Sequence, residues 1–299
     1  MPDFATHQLF GESLELPAAA AAHPALFRWG LQGPDILFYR KVITGGSPYH
    51  KLGSRMHEEQ TARLFSAMLA YCRQSEGEQQ AQAQSYLYGF AGHYALDSTV
   101  HPYVYFHQNK CVEENPKLHP GGVHCRIESD MDTDIYAYLH GGGVTDLDPS
   151  EGYELTKGEE QTLGALYTYM LYEVYHILIT PKEVAASVRD TTTVQKLLYG
   201  GSETVMSAAT IMDKLMKQQG IFTGHLKGKQ PRWDSLNLDG ARWSNPWTGE
   251  ESRESVPQLM DRAAERLTEL LAVLTRNAAG AVLPLPIGLN FSGKATGSI

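Results

Sequence analysis

Cysteine is scarce in this chain, and long apolar runs are missing altogether. Three cysteines, Cys72, Cys111 and Cys125, in 299 residues do not make a disulfide framework, and an odd count of this kind points to reduced thiols. The opening stretch MPDFATHQLFGESLELP has no basic region followed by an apolar one, so it does not read as a secretory signal. The alanines at 18–22 are stopped by His23 and Pro24, far short of the length that crosses a bilayer. A cytoplasmic protein without a transmembrane segment is the expectation. Basic residues are also in deficit, with 25 Lys and Arg against 34 Asp and Glu for a net charge of −9. That balance argues against a nucleic-acid backbone as a non-specific partner and against strong attraction to an anionic membrane surface. No run alternates apolar and polar residues between hairpin turns, which leaves few strands. Internal repeats and low-complexity segments are absent as well.

What the chain does have is helical periodicity. Residues 56–72 place Leu64, Phe65, Met68, Leu69 and Cys72 on one stripe. Residues 84–100 place Tyr86, Phe90, His93 and Asp97 on one face, and Pro102 makes His101 a helix-ending residue. A third helix is expected to open near His124, after His119-Pro120-Gly121-Gly122, and to run to about Leu139. Residues 159–178 form a long aromatic helix; Thr180-Pro181-Lys182-Glu183 and Ser255-Val256-Pro257-Gln258 each cap a further one. Another spans 194–216, with an interruption at Gly200-Gly201. The stretch 222–249, with three tryptophans, reads as an ordered loop. The fold class is therefore all-α, as a single helical domain over 1–299. A metal-site half (1–140) and a supporting helical half (159–275) are separated by the turn-rich stretch 141–158, and an extended tail (277–299) lies along the surface.

Histidine carries the chemical signal. His93 and Asp97 are four residues apart, which brings both side chains to one helix face with Cβ atoms about 5–6 Å apart. His124 and Glu128 repeat the spacing, Asp132 continues their row, and His101 follows Asp97 at the same helix end. A single such pair is usually a solvated surface pair. Here His93 and Asp97 share the apolar stripe of Tyr86 and Phe90, and a buried carboxylate needs a partner or a metal. Zn²⁺ takes this kind of donor set, His nitrogens with Asp or Glu oxygens. Asp132 reads as an acceptor behind a ligand histidine, and Asp130 and Asp134 read as solvated. On spacing alone His7, four residues after Asp3, Asp35 in its Gly-Pro-Asp turn, and His57 are weak candidates. An Asp in such a turn is ordinarily a helix cap.

Taken in order, PDFATH, GPDILFY, LGSRMH, YLYGFAGHYALDSTVHPYV and HCRIESDMD resemble the zinc-dependent phospholipase C family. More distantly they are similar to the fungal and plant single-strand nucleases that share its trinuclear-zinc helical fold. The resemblance covers roughly the first half of the chain. It implies that Asp97 bridges two zinc ions, that Asp35 and His57 complete the first site with His93, and that His7 helps hold the second with Asp97. His101, His124 and Glu128 would bind the third. His57 is preferred to His50 for its place at the head of a helix. The family's N-terminal tryptophan ligand has no counterpart here. Asp3 is the favoured substitute; the amine and carbonyl of Pro2 after loss of Met1, or a weakly held second ion, are the alternatives. The family's membrane-engaging β-sandwich is not expected either.

A carboxylate-bridged metal pair suits phosphodiester hydrolysis, since two ions activate a shared water and stabilise attacking and leaving oxygens. The expectation is a hydrolase using two or three Zn²⁺, with Asp35 as a ligand or the group that orients the water. Its substrate would be a phosphodiester such as a phospholipid headgroup. Tyr103, Tyr105, Phe106 and Trp243 either line an apolar or cationic-headgroup pocket or simply pack the core. Residues 242–247 form a lid over the site or a plug at the bundle end, and the plug is favoured. A vestigial or structural metal protein is the alternative, and a single-strand nuclease or phosphatase a weaker one given the acidic balance. Paired Glu-x-x-His motifs of di-iron bundles and an adjacent His-Asp dipeptide are lacking.

Overall fold

The computed structural model describes residues 3–45, 47–200, 202–216, 222–227, 231 and 233–296. In chain order the helices are α1 (Phe4–Glu12), α2 (Ala18–Ala21), α3 (Pro24–Gln32), α4 (Ile36–Tyr39), α5 (His50–Glu58), α6 (Thr61–Gln74), α7 (Gly77–Glu114), α8 (Pro120–His140), α9 (Lys157–Tyr175), α10 (Pro181–Tyr199), α11 (Glu203–Met216) and α12 (Val256–Ala278). A 3₁₀ turn at Gly33–Asp35 links α3 to α4. The strands among the described residues are the two-residue β1 (Trp243–Ser244) and β2 (Glu251–Ser252), paired antiparallel. The molecule is all-α, and no helix of the described residues is long and apolar enough to cross a membrane.

Helix α7 is the axis of the bundle. It is buried without a break from Ser85 to Val104, and it packs chiefly on α3 and α12, then on α8, α6 and α9. A helix apolar on all sides belongs in the middle of a core. The α3–α7 approach is close because two glycines face each other: a Cβ on Gly89 would lie 2.0 Å from the Phe27 carbonyl oxygen, and one on Gly30 would lie 2.4 Å from that of Tyr86.

Several expectations are corrected. Helix α7 runs through Pro102 instead of ending at His101. The burial of residues on every side of this segment outweighs the one backbone bond a proline removes. The single helix expected over 56–72 is broken at Gln60, whose φ of 61° is left-handed, giving α5 and α6. The expected start at 194 lies inside α10, which stops at Tyr199 with Gly200 at its C-cap; Gly201 lies outside the described residues. The capping box at Ser255–Gln258 is formed, whereas only half of the one at Thr180 is: Thr180 accepts from the Glu183 amide, but the Glu183 carboxylate turns to Arg40. The tail does not simply run along the surface. Phe291 is fully buried at 0% exposure, and Leu289 bridges to Ala295 around a turn.

Candidate metal centre

Three elements of the N-terminal half and the middle of α7 converge on one buried point. His7 comes from α1, Asp35 from the 3₁₀ turn, His57 from the last turn of α5, and His93, Asp97 and His101 from successive turns of α7. His124 and Glu128 come from α8. Their donor atoms form three groups, each compact enough to hold one ion: His7, His93 and Asp97; Asp35, His57 and His93; and His101, His124 and Glu128. His93 belongs to two of them. The Asp97 oxygens face different neighbours, Oδ1 at 3.2 Å from His7 Nε2 and Oδ2 at 3.3 Å from His93 Nε2. Oδ2 also lies 3.9 Å from His57 Nε2 and 4.0 Å from His101 Nδ1. Asp35 Oδ1 is 3.1 Å from His57 Nε2, and Glu128 Oε1 is 3.0 Å from His124 Nε2 and 3.6 Å from His101 Nε2.

The far side of each ring explains how these nitrogens are aimed. His93 Nδ1 donates to the Leu31 carbonyl at 2.9 Å, His57 Nδ1 to that of Gly53 at 2.8 Å, and His101 Nδ1 to that of Phe291 at 2.6 Å. His124 Nδ1 meets Gln108 Oε1 at 2.8 Å. An acceptor at Nδ1 places the ring hydrogen there and leaves Nε2 as a lone pair. Gly33, with φ of 50°, lets the chain turn directly over His93, where a Cβ would come within 2.5 Å of the ring.

The donor set fits a cluster of cations. His7 Nε2, Asp35 Oδ1, both Asp97 oxygens and His101 Nε2 are buried and make no hydrogen bond. Unpaired polar atoms are costly at such burial, and charged ones more so. Burial pushes His93 and His124 well below the usual imidazole range, and His101 to about 3. Burial raises the Asp35 carboxyl above the usual carboxylate range against the pull of His57. Asp97 opposes burial: His93, His101 and His7 hold its carboxyl low. Yet burial itself keeps His93 and His101 neutral in neutral solution, so those rings supply no positive charge. His57 Nε2 stands 3.4 Å from His93 Nε2, and, against the effect of burial, Asp35 and Asp97 lift the His57 imidazole above its usual range. A divalent cation would supply positive charge beside Asp97 and a partner for the His93 Nε2 lone pair.

Of the expected site residues, eight come together: His7, Asp35, His57, His93, Asp97, His101, His124 and Glu128. Asp3 does not join them. Its carboxylate caps α1 through the Phe4 amide at 2.8 Å and is paired with the buried Lys227. The Pro2 and Met1 alternatives lie outside the described residues. His50 is exposed beside Phe38, whereas His57 points inward. Asp132 is corrected too. It accepts from the Ala5 and Thr6 amides, the Thr6 hydroxyl and Tyr199, and lies 3.1 Å from Lys227 Nζ, so it anchors α1 on α8 and backs no histidine. Asp130 and Asp134 are not merely solvated: they accept from Trp233 Nε1 at 2.8 Å and from the Ser235 hydroxyl at 2.5 Å.

Sequence reasoning missed Lys227, Gln108 and Phe291. The first two are single polar residues in segments without a motif. Phe291 is an aromatic side chain in a glycine-punctuated tail, where Asn290, Ser292 and Gly293 mark a turn but nothing marks it as facing the site. Among the aromatic residues, Tyr103 and Trp243 are core. Trp243 packs edge-on against Tyr103, which makes the 242–247 segment a plug at this point. Tyr105 is different, lying against both His101 and His124 with Trp247 over it.

Such a site, in a helical bundle with no side chain of the set more than partly exposed, offers donor groups that could hold divalent metal ions. The family model for zinc dependent phospholipase C matches residues 4–177, and the chain belongs to that family. Nothing among the curated proteins and the solved structures matches it.

Proposed function

We propose that this protein is a zinc-dependent phosphodiesterase acting on phospholipid-type substrates, with His7, Asp35, His57, His93, Asp97, His101, His124 and Glu128 as its metal ligands. The observation that carries this reading is three largely buried donor groups, two of them sharing His93, with Asp97 Oδ2 4.0 Å from His101 of the third. Family membership supports zinc as the ion and a phospholipid as the substrate class. Bound divalent cations would lower the pKa of a shared water and neutralise charge on the attacking and leaving oxygens.

The chain's own residues set up that chemistry. Asp97 faces His7 with one oxygen and His93 and His57 with the other, so its two oxygens would be available to separate ions. The carbonyls of Leu31, Gly53 and Phe291 hold the Nδ1 hydrogens of His93, His57 and His101. This orientation costs nothing at the moment of reaction because it is already built. Asp35, with burial lifting its carboxyl, is the ligand suited to orient the attacking water or accept its proton. The third group, bordered by Tyr105, is the place for a phosphoryl oxygen.

Hydrolysis of a chromogenic phosphodiester and of phosphatidylcholine vesicles, with zinc counted on the same sample, tests the reading. Wild type is expected to hold two or three zinc ions and turn over, and His93→Ala to lose both properties with its helical signal intact. Bound zinc without turnover on any phosphodiester would leave the structural-metal reading instead.

A further inference from the structure

Helix α8, with His124 and Glu128, and the stretch of α7 with His101 form the third donor group, but what holds His101 lies elsewhere. The family match ends at residue 177, and the acceptor for the His101 ring hydrogen is the carbonyl of Phe291, at 2.6 Å. Phe291 also donates its own amide to the His57 carbonyl at 3.0 Å. Its ring packs 5.2 Å from that of His57 and 5.5 Å from that of His93. One residue near the C-terminus therefore touches a histidine from each end of the cluster.

The surroundings make this a built contact. Tyr94 donates its hydroxyl to the Leu289 carbonyl at 3.1 Å, and the Trp247 indole donates to the Ser292 carbonyl at 2.8 Å. The turn closes through the Gly293 amide on the Asn290 carbonyl at 3.1 Å. Gly293 has φ of 77°, and a Cβ there would lie 2.7 Å from the Ser98 carbonyl oxygen and 2.8 Å from Pro102. The turn thus seats on the stretch of α7 where Pro102 lacks a backbone donor, one residue after His101.

We propose that the turn at 290–293 is a positioning element of the metal centre, fixing the His101 tautomer so that the third ion is held tightly only when the tail is docked. This rests on the metal reading above. The Phe291 carbonyl acts on the ion through His101, and a ligand histidine deprived of its outer acceptor typically costs 10- to 100-fold in metal affinity.

The test counts zinc per chain by mass spectrometry and follows its release to a chelator, together with the visible spectrum of the cobalt-substituted chain. The variants are a chain ending at Gly288, Gly293→Ala and Phe291→Leu. Gly293→Ala pushes the turn off α7, and Phe291→Leu keeps the backbone carbonyl. The first two are expected to hold one ion of the wild-type complement less tightly, releasing it to the chelator 10- to 100-fold faster and with its cobalt bands weakened. Phe291→Leu is expected to retain it as wild type does, which a purely packing role for the ring would not allow. If the shortened chain fails to fold, Gly293→Ala and Phe291→Leu decide the matter. Wild-type ion count and release in Gly293→Ala would overturn the inference alone. A wild-type chain without zinc would overturn the metal reading beneath it.

Discussion

Asp97→Asn is expected to change sign with metal. In the chain stripped by a chelator, the Asp97 carboxylate is fully buried, with both oxygens unbonded and the lone pair of His93 Nε2 at 3.3 Å. Replacing it by the neutral amide removes a buried charge and offers a donor to that nitrogen. A relief of about 1–3 kcal/mol follows from the usual cost of an unsatisfied buried group. With unfolding entropy of about 2.1 cal/mol/K per residue, a chain of 299 residues changes by about 0.6 kcal/mol per degree at Tm. The metal-free variant should therefore melt about 2–5 °C above metal-free wild type. With zinc the order reverses. Each ion at 100 to 1,000 times its Kd adds about 2.7–4.1 kcal/mol, and the two groups that Asp97 serves are both weakened. Net of the relief in the metal-free chain, the variant should then melt about 4–11 °C below zinc-loaded wild type. Scanning calorimetry with chelator and with excess zinc reads both arms. A variant destabilised equally in the two buffers would refute the reasoning, since it would mean that Asp97 is balanced by protein groups and not by a cation.

Two further outcomes follow from other parts of the structure. Lys227, 3% exposed, is the cation between Asp3 and Asp132, so Lys227→Met should cost about 3–5 kcal/mol by leaving two buried carboxylates without it. Adding Asp132→Asn should cost less than the sum of the single changes; additive denaturant midpoints would show that the three groups do not act together. Acid is the second perturbation. Burial holds His101 at about 3 and His107 at about 4, whereas in the unfolded chain both take a proton near the ordinary imidazole value of about 6.5. The unfolded state binds more protons between those values. The stability of the metal-free chain should thus fall as pH drops from about 6.5 towards about 4, by about 1.4 kcal/mol per group per pH unit. A denaturation midpoint flat across that window would contradict the burial of these rings.

The middle of the site was legible in the sequence because a helix converts spacing into a shared face. His93, Asp97 and His101 fall on successive turns of α7, and His124 and Glu128 on successive turns of α8. Their burial followed from the apolar stripe around them. His7, Asp35 and His57 come from separate elements, so no spacing within one helix could join them, and only the resemblance to a family did so. Asp132 shows the limit of row spacing. It continues the His124–Glu128 row, yet its carboxylate turns to the start of α1, where backbone amides and Lys227 wait. The acceptors behind the histidines were out of reach for a simpler reason: those of His57, His93 and His101 are backbone carbonyls, which every residue carries, so no residue type marks them. Pro102 misled the reading of α7 because local propensity gave way to burial on all sides of the helix.

The central claim is that the eight residues from His7 to Glu128 hold a metal cluster. Anomalous scattering at the zinc edge, on crystals grown with zinc, tests it most directly. The account predicts separate peaks within the His7–His93–Asp97, Asp35–His57–His93 and His101–His124–Glu128 groups, with Asp97 between the first two. Zinc found only at surface side chains, with these buried donors left bare, would contradict it.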